Sequence, residues 1–250
     1  MNENRGQTPV STLLVEDRGA VRILTMNRPE KRNALNSELT QALFDAFKSV
    51  DQEERIGCVV LTGAGPGFCA GADLGEFKGL QDPQAAEKRA ELTMQLQLVF
   101  SKISKPVVTA INGAAMGGGA GLALAADMAV MAQSAKLGYP EVKHGIVAAI
   151  VMGNLVRQIG RKAAFELVSL GEPIDASRAL ELGMVNRVVP DSEVVSHAVS
   201  LGEKLAAVAR PAMAETKRLF HEVADLALAP ALERGRDANK RMRNFQKLAK

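Results

Sequence analysis

Two glycine-rich segments and one acid carry most of the chemistry this chain could do. GAGPGFCAGAD (63–73) follows the apolar run CVVLT, and NGAAMGGGAG (112–121) follows PVVTAI. Glycine costs roughly 0.5–1 kcal/mol relative to alanine inside a regular element, so such runs need an offsetting purpose, such as backbone that another group must approach closely. Their spelling argues against a nucleotide loop. The sixth position of GxGxxG falls on Phe68 in one segment and on Leu122 in the other, and no GKS or GKT occurs. Turn chemistry accounts for a single glycine loop. Two loops that each leave a parallel strand lie on one edge of a sheet, where ligands bind.

The titratable candidates are few. Glu141, in YPEVKHG, sits beside Pro140 and reads equally well as a helix-start acid or as a proton-transferring base. His144, one turn later, could hydrogen-bond it, although a helix-packing histidine is the plainer reading. Asp73 and Glu76 are one turn apart at the first loop, and reach rather than charge limits Glu76 as a base. Tyr139 could line a pocket. Anions could be met by Arg28, Lys31 and Arg32, or by Arg234, Arg236, Lys240, Arg241 and Arg243 near the C-terminus. Solvated helix faces explain most such runs.

Periodicity supplies the elements that must position these groups. Residues 11–16 and 21–26 read as a hairpin, and 37–50 as an amphipathic helix capped by Asn36 or Ser37. The apolar runs 58–63, 106–111 and 128–131 read as buried strands, with a helix over 82–101 and another after the second glycine segment. Short, fully apolar strands alternating with helices imply mainly parallel pairing in an α/β domain. Beyond Ala148 the chain is mostly helical, with a last strand over 185–189 and a break at Arg210-Pro211. Pro190 separates a core domain (1–190) from a C-terminal helical region (191–250), and the residues before Ser11 are expected to fray.

With 250 residues, 47% of them hydrophobic, there is enough chain for a full core. The 31 basic and 28 acidic residues interleave, which argues against a dedicated nucleic-acid surface. Two cysteines, Cys58 and Cys69, make no disulfide framework or metal cluster. With no signal-like or membrane-spanning stretch, a cytoplasmic location is expected.

Four stretches in order, NRPEKRNALN, GPGFCAGAD, the NG-x-x-x-GGG loop and LGYPEVKHGI, resemble the successive signatures of the crotonase superfamily, the enoyl-CoA hydratases and isomerases. The likeness spans about residues 10–189. It implies a spiral of ββα repeats with a C-terminal helical trimerisation region, assembled as a homotrimer or hexamer, and a role in fatty acid metabolism. It also implies an acyl-CoA thioester as substrate, with coenzyme A entering as part of it and with no metal or other cofactor. The thioester oxygen would lie between the backbone N–H groups of Ala70 and Gly118, with Glu141 moving protons. Gly71, Ala72, Asp73, Gly117, Gly121 and Tyr139 would line the substrate, with Arg28, Lys31 and Arg32 at the CoA phosphates.

Hydratases of this family carry a second glutamate where this chain has Gly121, and dienoyl isomerases carry a further acid where it has Ala149. One carboxylate suffices to shift a double bond and grips an attacking water less well than two. The expected reaction is therefore 3,2-enoyl-CoA isomerisation, with 2-enoyl-CoA hydration as the alternative and a roomy acyl site at Ala120 and Gly121. From another class, a non-catalytic acyl-CoA or nucleic-acid binder would be indifferent to loss of the Glu141 carboxylate.

Overall fold

The computed structural model describes residues 11–79 and 81–248; the segment expected to fray before Ser11 lies outside them. The hairpin forms with its first strand displaced by two residues, β1 (Leu13–Arg18) pairing antiparallel with β2 (Val21–Met26). Gly19, at φ 58°, supplies the positive dihedral that a two-residue turn requires. Helix α1 (Ser37–Val50) starts where the Asn36 side chain accepts the Leu39 N–H, and it buries Leu39, Leu43, Phe47 and Val50. Strands β3 (Cys58–Gly63) and β4 (Gly67–Cys69) precede a short helix α2 (Leu74–Gly79) that the sequence pattern does not announce. Helix α3 (Pro83–Lys102) is capped by Asp82.

Next come β5 (Val107–Ile111), β6 (Ala114–Met116), α4 (Gly118–Ala125), β7 (Met128–Ala132) and β8 (Lys136–Gly138). A 3-10 turn at Pro140–His144 leads to α5 (Ala149–Ile159), α6 (Arg161–Leu170), β9 (Ile174–Asp175), α7 (Ala176–Glu181) and β10 (Arg187–Val189). Three helices end the chain: α8 (Val194–Ala206), α9 (Arg210–Val223) and α10 (Leu228–Leu248).

The strands form two sheets. The larger runs β1-β2-β3-β5-β7-β10 and is parallel except at β1; the smaller runs β4-β6-β8-β9 and is antiparallel only at β9. Each pair β3–β4, β5–β6 and β7–β8 gives one strand to each sheet before the chain turns helical, so the coil of ββα units is real. Every residue of β3 and β5 is buried, as apolar runs covered on both faces must be.

Helix α8, although it follows the boundary at Pro190, belongs to this core. Val194, Ala198, Val199 and Leu201 are buried in it, and Gly202 lies against Val21 and Cys58. The break expected at Arg210-Pro211 lies between α8, which ends at Ala206, and α9, which Arg210 begins with Pro211 in its first turn, where a residue needs no N–H. Among the described residues no helix is long and apolar enough to cross a membrane.

One buried ion pair fastens α9 to the large sheet. Lys217 Nζ bonds Asp127 Oδ2 at 2.7 Å and the Lys105 carbonyl at 2.8 Å, while Asp127 also takes the Val107 N–H at 2.7 Å and faces His221 Nε2 at 3.2 Å. Burial opposes ionisation of Asp127; the His221 contact and the Lys217 ammonium outweigh it and hold the carboxyl below its ordinary value. Truncating one member of a buried pair strands the other, at a cost of about 3–5 kcal/mol. Lys217→Met is therefore expected to lower the stability measured by urea denaturation by that amount at pH 7. The deficit should shrink as pH falls through the depressed Asp127 value and the acid becomes neutral.

Candidate active site

The small sheet sets the geometry. Strands β4, β6 and β8 are adjacent and parallel, roughly 4.8 Å apart. Each ends at the same edge and passes directly into one of the segments singled out by sequence: residues 70–73 after β4, Gly117-Gly118 after β6, Tyr139-Pro140-Glu141 after β8. The runs recognisable in the sequence, β3 and β5, carry these short strands one connection further along the chain.

The first amide is not the expected one. The Ala70 N–H donates to the Arg32 carbonyl at 2.9 Å and is unavailable to a ligand. Leu35 pairs in parallel with Ala72, its N–H going to the Gly71 carbonyl at 2.7 Å and its carbonyl taking the Asp73 N–H at 3.1 Å. Extended backbone alternates sides, so the amide of the residue between, Ala72, faces away from Leu35. Among the described residues nothing accepts a hydrogen bond from Ala72 N or from Gly118 N, the first residue of α4.

The two amides belong to touching chains. A Cβ on Gly118 would stand 3.9 Å from Ala72 N, and one on Gly71, at φ 90°, would stand 2.7 Å from the Met116 carbonyl oxygen and 3.3 Å from Gly118 N. Both amides thus lie at one edge, at the start of a helix whose dipole favours negative charge.

Glu141 completes the cluster. A Cβ on Gly117 would stand 2.7 Å from Glu141 Oε1. Gly117 also holds φ 52° and ψ −120°, a conformation that L side chains rarely adopt. Burial pushes the Glu141 carboxyl above its ordinary value; a hydrogen bond to its own backbone and the nearby His144 oppose this without cancelling it. Oε2 is buried and, among the described residues, has no hydrogen-bond partner. Tyr139 is fully buried, its hydroxyl is likewise unpartnered, and burial together with the Glu141 charge pushes its pKa up. His144 is exposed.

Other expected contacts are committed elsewhere. Arg28 Nη2 holds Asp73 Oδ2 at 2.9 Å, and its Nη1 bonds the Ala34 carbonyl, so neither Arg28 nor Asp73 is free for substrate. The Arg28 hydrogen bond also holds the Asp73 carboxyl below its ordinary value, against burial. Lys31 and Arg32 are exposed and, among the described residues, in no ion pair. Glu76 accepts the Ser37 N–H with both oxygens at 3.0 Å and so caps α1. Arg234 and Arg241 pair with Glu222 and Glu215 of α9, and Arg236 with Asp237.

Gly121 is not at a roomy place: a Cβ there would meet Val151 Cγ1 of α5 at 2.2 Å and Gln97 Nε2 of α3 at 3.1 Å. Among the described residues no cluster of three or more His, Cys, Asp or Glu side chains is placed to hold a metal ion.

Two asparagines that bind the loops together carry no catalytic signature. Asn33, fully buried at φ 56°, accepts the Arg28 N–H and donates to the Ala64 and Gly67 carbonyls, each at 2.9 Å. Asn112 donates to the Gly63 and Gly65 carbonyls at 2.9 and 3.0 Å. Asn112 heads its glycine segment, where asparagine readily bonds turn backbone, whereas Asn33 lies thirty residues before the loop it binds and carries no local signal.

Residues 16–249 match the family model described as enoyl-CoA hydratase/isomerase. A Thermus thermophilus protein that bears the name of an enoyl-CoA hydratase is 40% identical over 207 residues, 82% of this chain and 81% of its own. The crystal structure of an enoyl-CoA hydratase from Mycobacterium smegmatis superposes with a TM-score of 0.88 at 31% identity, covering 92% of this chain and 90% of that one. A monofunctional enoyl-CoA isomerase from the same organism superposes at 0.76 with 28% identity, covering 89% and 98%. The four motifs, the two coiled sheets and these likenesses agree: the chain is an acyl-CoA enzyme of the enoyl-CoA hydratase/isomerase family, within the crotonase superfamily.

Proposed function

We propose that the protein isomerises 3-enoyl-CoA to 2-enoyl-CoA through a thioester enolate held by the amides of Ala72 and Gly118, with Glu141 as the only proton carrier. The observation that carries this reading is the convergence of two unclaimed amides and one desolvated carboxylate at the ends of three adjacent strands. Glu141 takes a proton from C2. The electron pair passes into the C1–C2 bond and the charge onto the thioester oxygen, where the two amides and the α4 dipole stabilise it. The same carboxyl returns the proton at C4, leaving the double bond at C2–C3. Val151 at the Gly121 position favours single-acid chemistry, because a second carboxylate there would collide with it. Hydration of 2-enoyl-CoA is the second reading, favoured by the relatives that bear the hydratase name.

Coenzyme A enters as part of the substrate, and the exposed Lys31 and Arg32, in no ion pair among the described residues, are offered to its phosphates. Assembly into trimers or pairs of trimers is part of the proposal. Phe165, Phe220, Leu228 and Leu232 are 65–75% exposed and supply apolar surface for it.

Assayed in parallel on 3-enoyl-CoA and 2-enoyl-CoA, the protein should turn over the first faster. Glu141→Gln should cut the rate by about 10²-fold or more; an unchanged rate would discard Glu141 as the base, and turnover of neither substrate by the wild type would favour a binding protein. Because Glu141 must be ionised to accept a proton, the acid limb of kcat/KM should fall at a pH above its ordinary value of 4.5. The same displacement fixes the sign for stability. Below pH 4.5 the acid is neutral folded and unfolded; as pH rises toward the folded value only the unfolded chain ionises freely, and stability is lost. Glu141→Gln should therefore melt higher than wild type near pH 7, by a margin that vanishes toward pH 4. Replacing the Ala72 amide by an ester should lower kcat by about 10²–10³, whereas an ester at Ala70 should act mainly on stability.

A further inference from the structure

Arg89 is a charged side chain that neither the sequence motifs nor the proposed mechanism accounts for. It projects from the second turn of α3 with its side chain only 12% exposed, and all three of its guanidinium nitrogens are engaged. Nη2 donates to the Leu35 carbonyl at 2.9 Å, Nε to Glu76 Oε2 at 3.4 Å and Nη1 to the Thr93 hydroxyl.

Leu35 is the residue at which the two halves of the site meet. Its backbone pairs on either side of Ala72, giving its N–H to Gly71 and taking the Asp73 N–H on the same carbonyl that Arg89 holds. Its side chain reaches the other half, with Cδ1 3.5 Å from where a Gly118 Cβ would be. Successive carbonyls of extended backbone point to opposite sides, so one cation cannot steady both Ala34 and Leu35. Arg28 takes the first and Arg89 the second. Arg89 reaches this segment again through Glu76, whose two oxygens accept the Ser37 N–H at 3.0 Å. The helix that carries it is itself fixed, since Leu96, Val99 and Phe100 of α3 are buried in the core.

We propose that Arg89 is a positioning residue for the thioester enolate: by holding the Leu35 carbonyl it fixes the Ala72 amide where that amide and the Gly118 amide serve one oxygen. This rests on the acyl-CoA reading above. A donor stabilises the oxyanion when it stands about 2.7–3.1 Å from the oxygen, and misplacement by about 1 Å can cost about 10²-fold in rate. Arginine suits the task because its planar fork offers donors in fixed directions to acceptors on different elements, which the single ammonium of lysine does not. Its hydrogen bonds reach no atom of Glu141, so it acts on the developing charge and not on the proton.

The test uses hexanoyl-CoA isotope-labelled at its thioester carbonyl, a saturated ligand with no double bond to move. Its carbonyl stretch is read by difference infrared spectroscopy, alongside kcat and KM for 3-enoyl-CoA. Bound to the wild type, the band should lie below that of free hexanoyl-CoA, because hydrogen bonds to the oxygen weaken the C=O bond. In Arg89→Met the band should return most of the way to the free value. There kcat should fall about tenfold or more, with KM within about threefold of wild type, because the amide counts most in the transition state. Arg89→Lys should lie between the two. A band in Arg89→Met as displaced as in the wild type overturns the proposal even where kcat falls, since a merely destabilised enzyme still polarises the ligand it binds. Should Arg89→Met fail to fold, Arg89→Lys decides alone, and a wild-type band there overturns it. A wild type that leaves the band at the free value sinks the two-amide mechanism itself, and the role of Arg89 with it.

Discussion

Two peptide N–H groups from distant parts of a chain can serve one oxygen only if their backbones touch, and most of this structure serves that contact. The end of β4 with the loop after it and the end of β6 with the first turn of α4 meet so closely that the Met116 carbonyl stands where a Gly71 side chain would start and the Cys69 carbonyl where a Gly119 side chain would. A methyl group at either glycine would push them apart. The glycines that look like flexibility in the sequence are therefore the condition for rigidity in the fold. Their conformational entropy is offset by close packing and by the bonds of Asn33 and Asn112.

Electrostatics divides the neighbourhood in two. Arg28 and Asp73 neutralise each other beside the first loop, and Asp73 also takes the Gly75 N–H at 3.1 Å, so that pair is spent on holding the loop. Glu141 has no such partner, and its burial keeps the proton closer to hand than on an exposed carboxylate. Cys69, at the heart of the contact, donates its thiol to the Asn33 carbonyl at 3.1 Å, and burial pushes its pKa up to about 12, which removes it as a nucleophile.

Long periodic elements were legible from sequence because burial imposes their pattern: α1, α3, β3 and β5 lie within a residue or two of their expected bounds. The three-residue strands β4, β6 and β8 were not, since so short a run has no period to read. Glu141 and Gly118, singled out by motif likeness, lie beside Gly117 and at the start of α4. The Ala70 amide, expected beside them, is tied to the Arg32 carbonyl, and the unclaimed amide is that of Ala72. The alternation that turns Ala72 toward the site and ties Ala70 to Arg32 depends on pairing with a segment nearly forty residues upstream, which local spelling does not contain. The space expected at Gly121 is taken for a similar reason, because the side chain that fills it comes from Val151 on α5, thirty residues further along the chain and past β7 and β8.

That last packing has a wider consequence. The two unclaimed amides hang from β4 and β6 and the acid from β8, while the groups bordering them one turn up α4 arrive on α3 and α5. Product choice can therefore drift through ordinary core substitutions on those two helices without a letter changing in the glycine motifs. Chains that share every signature of this kind are sorted by them according to scaffold and not according to what they make.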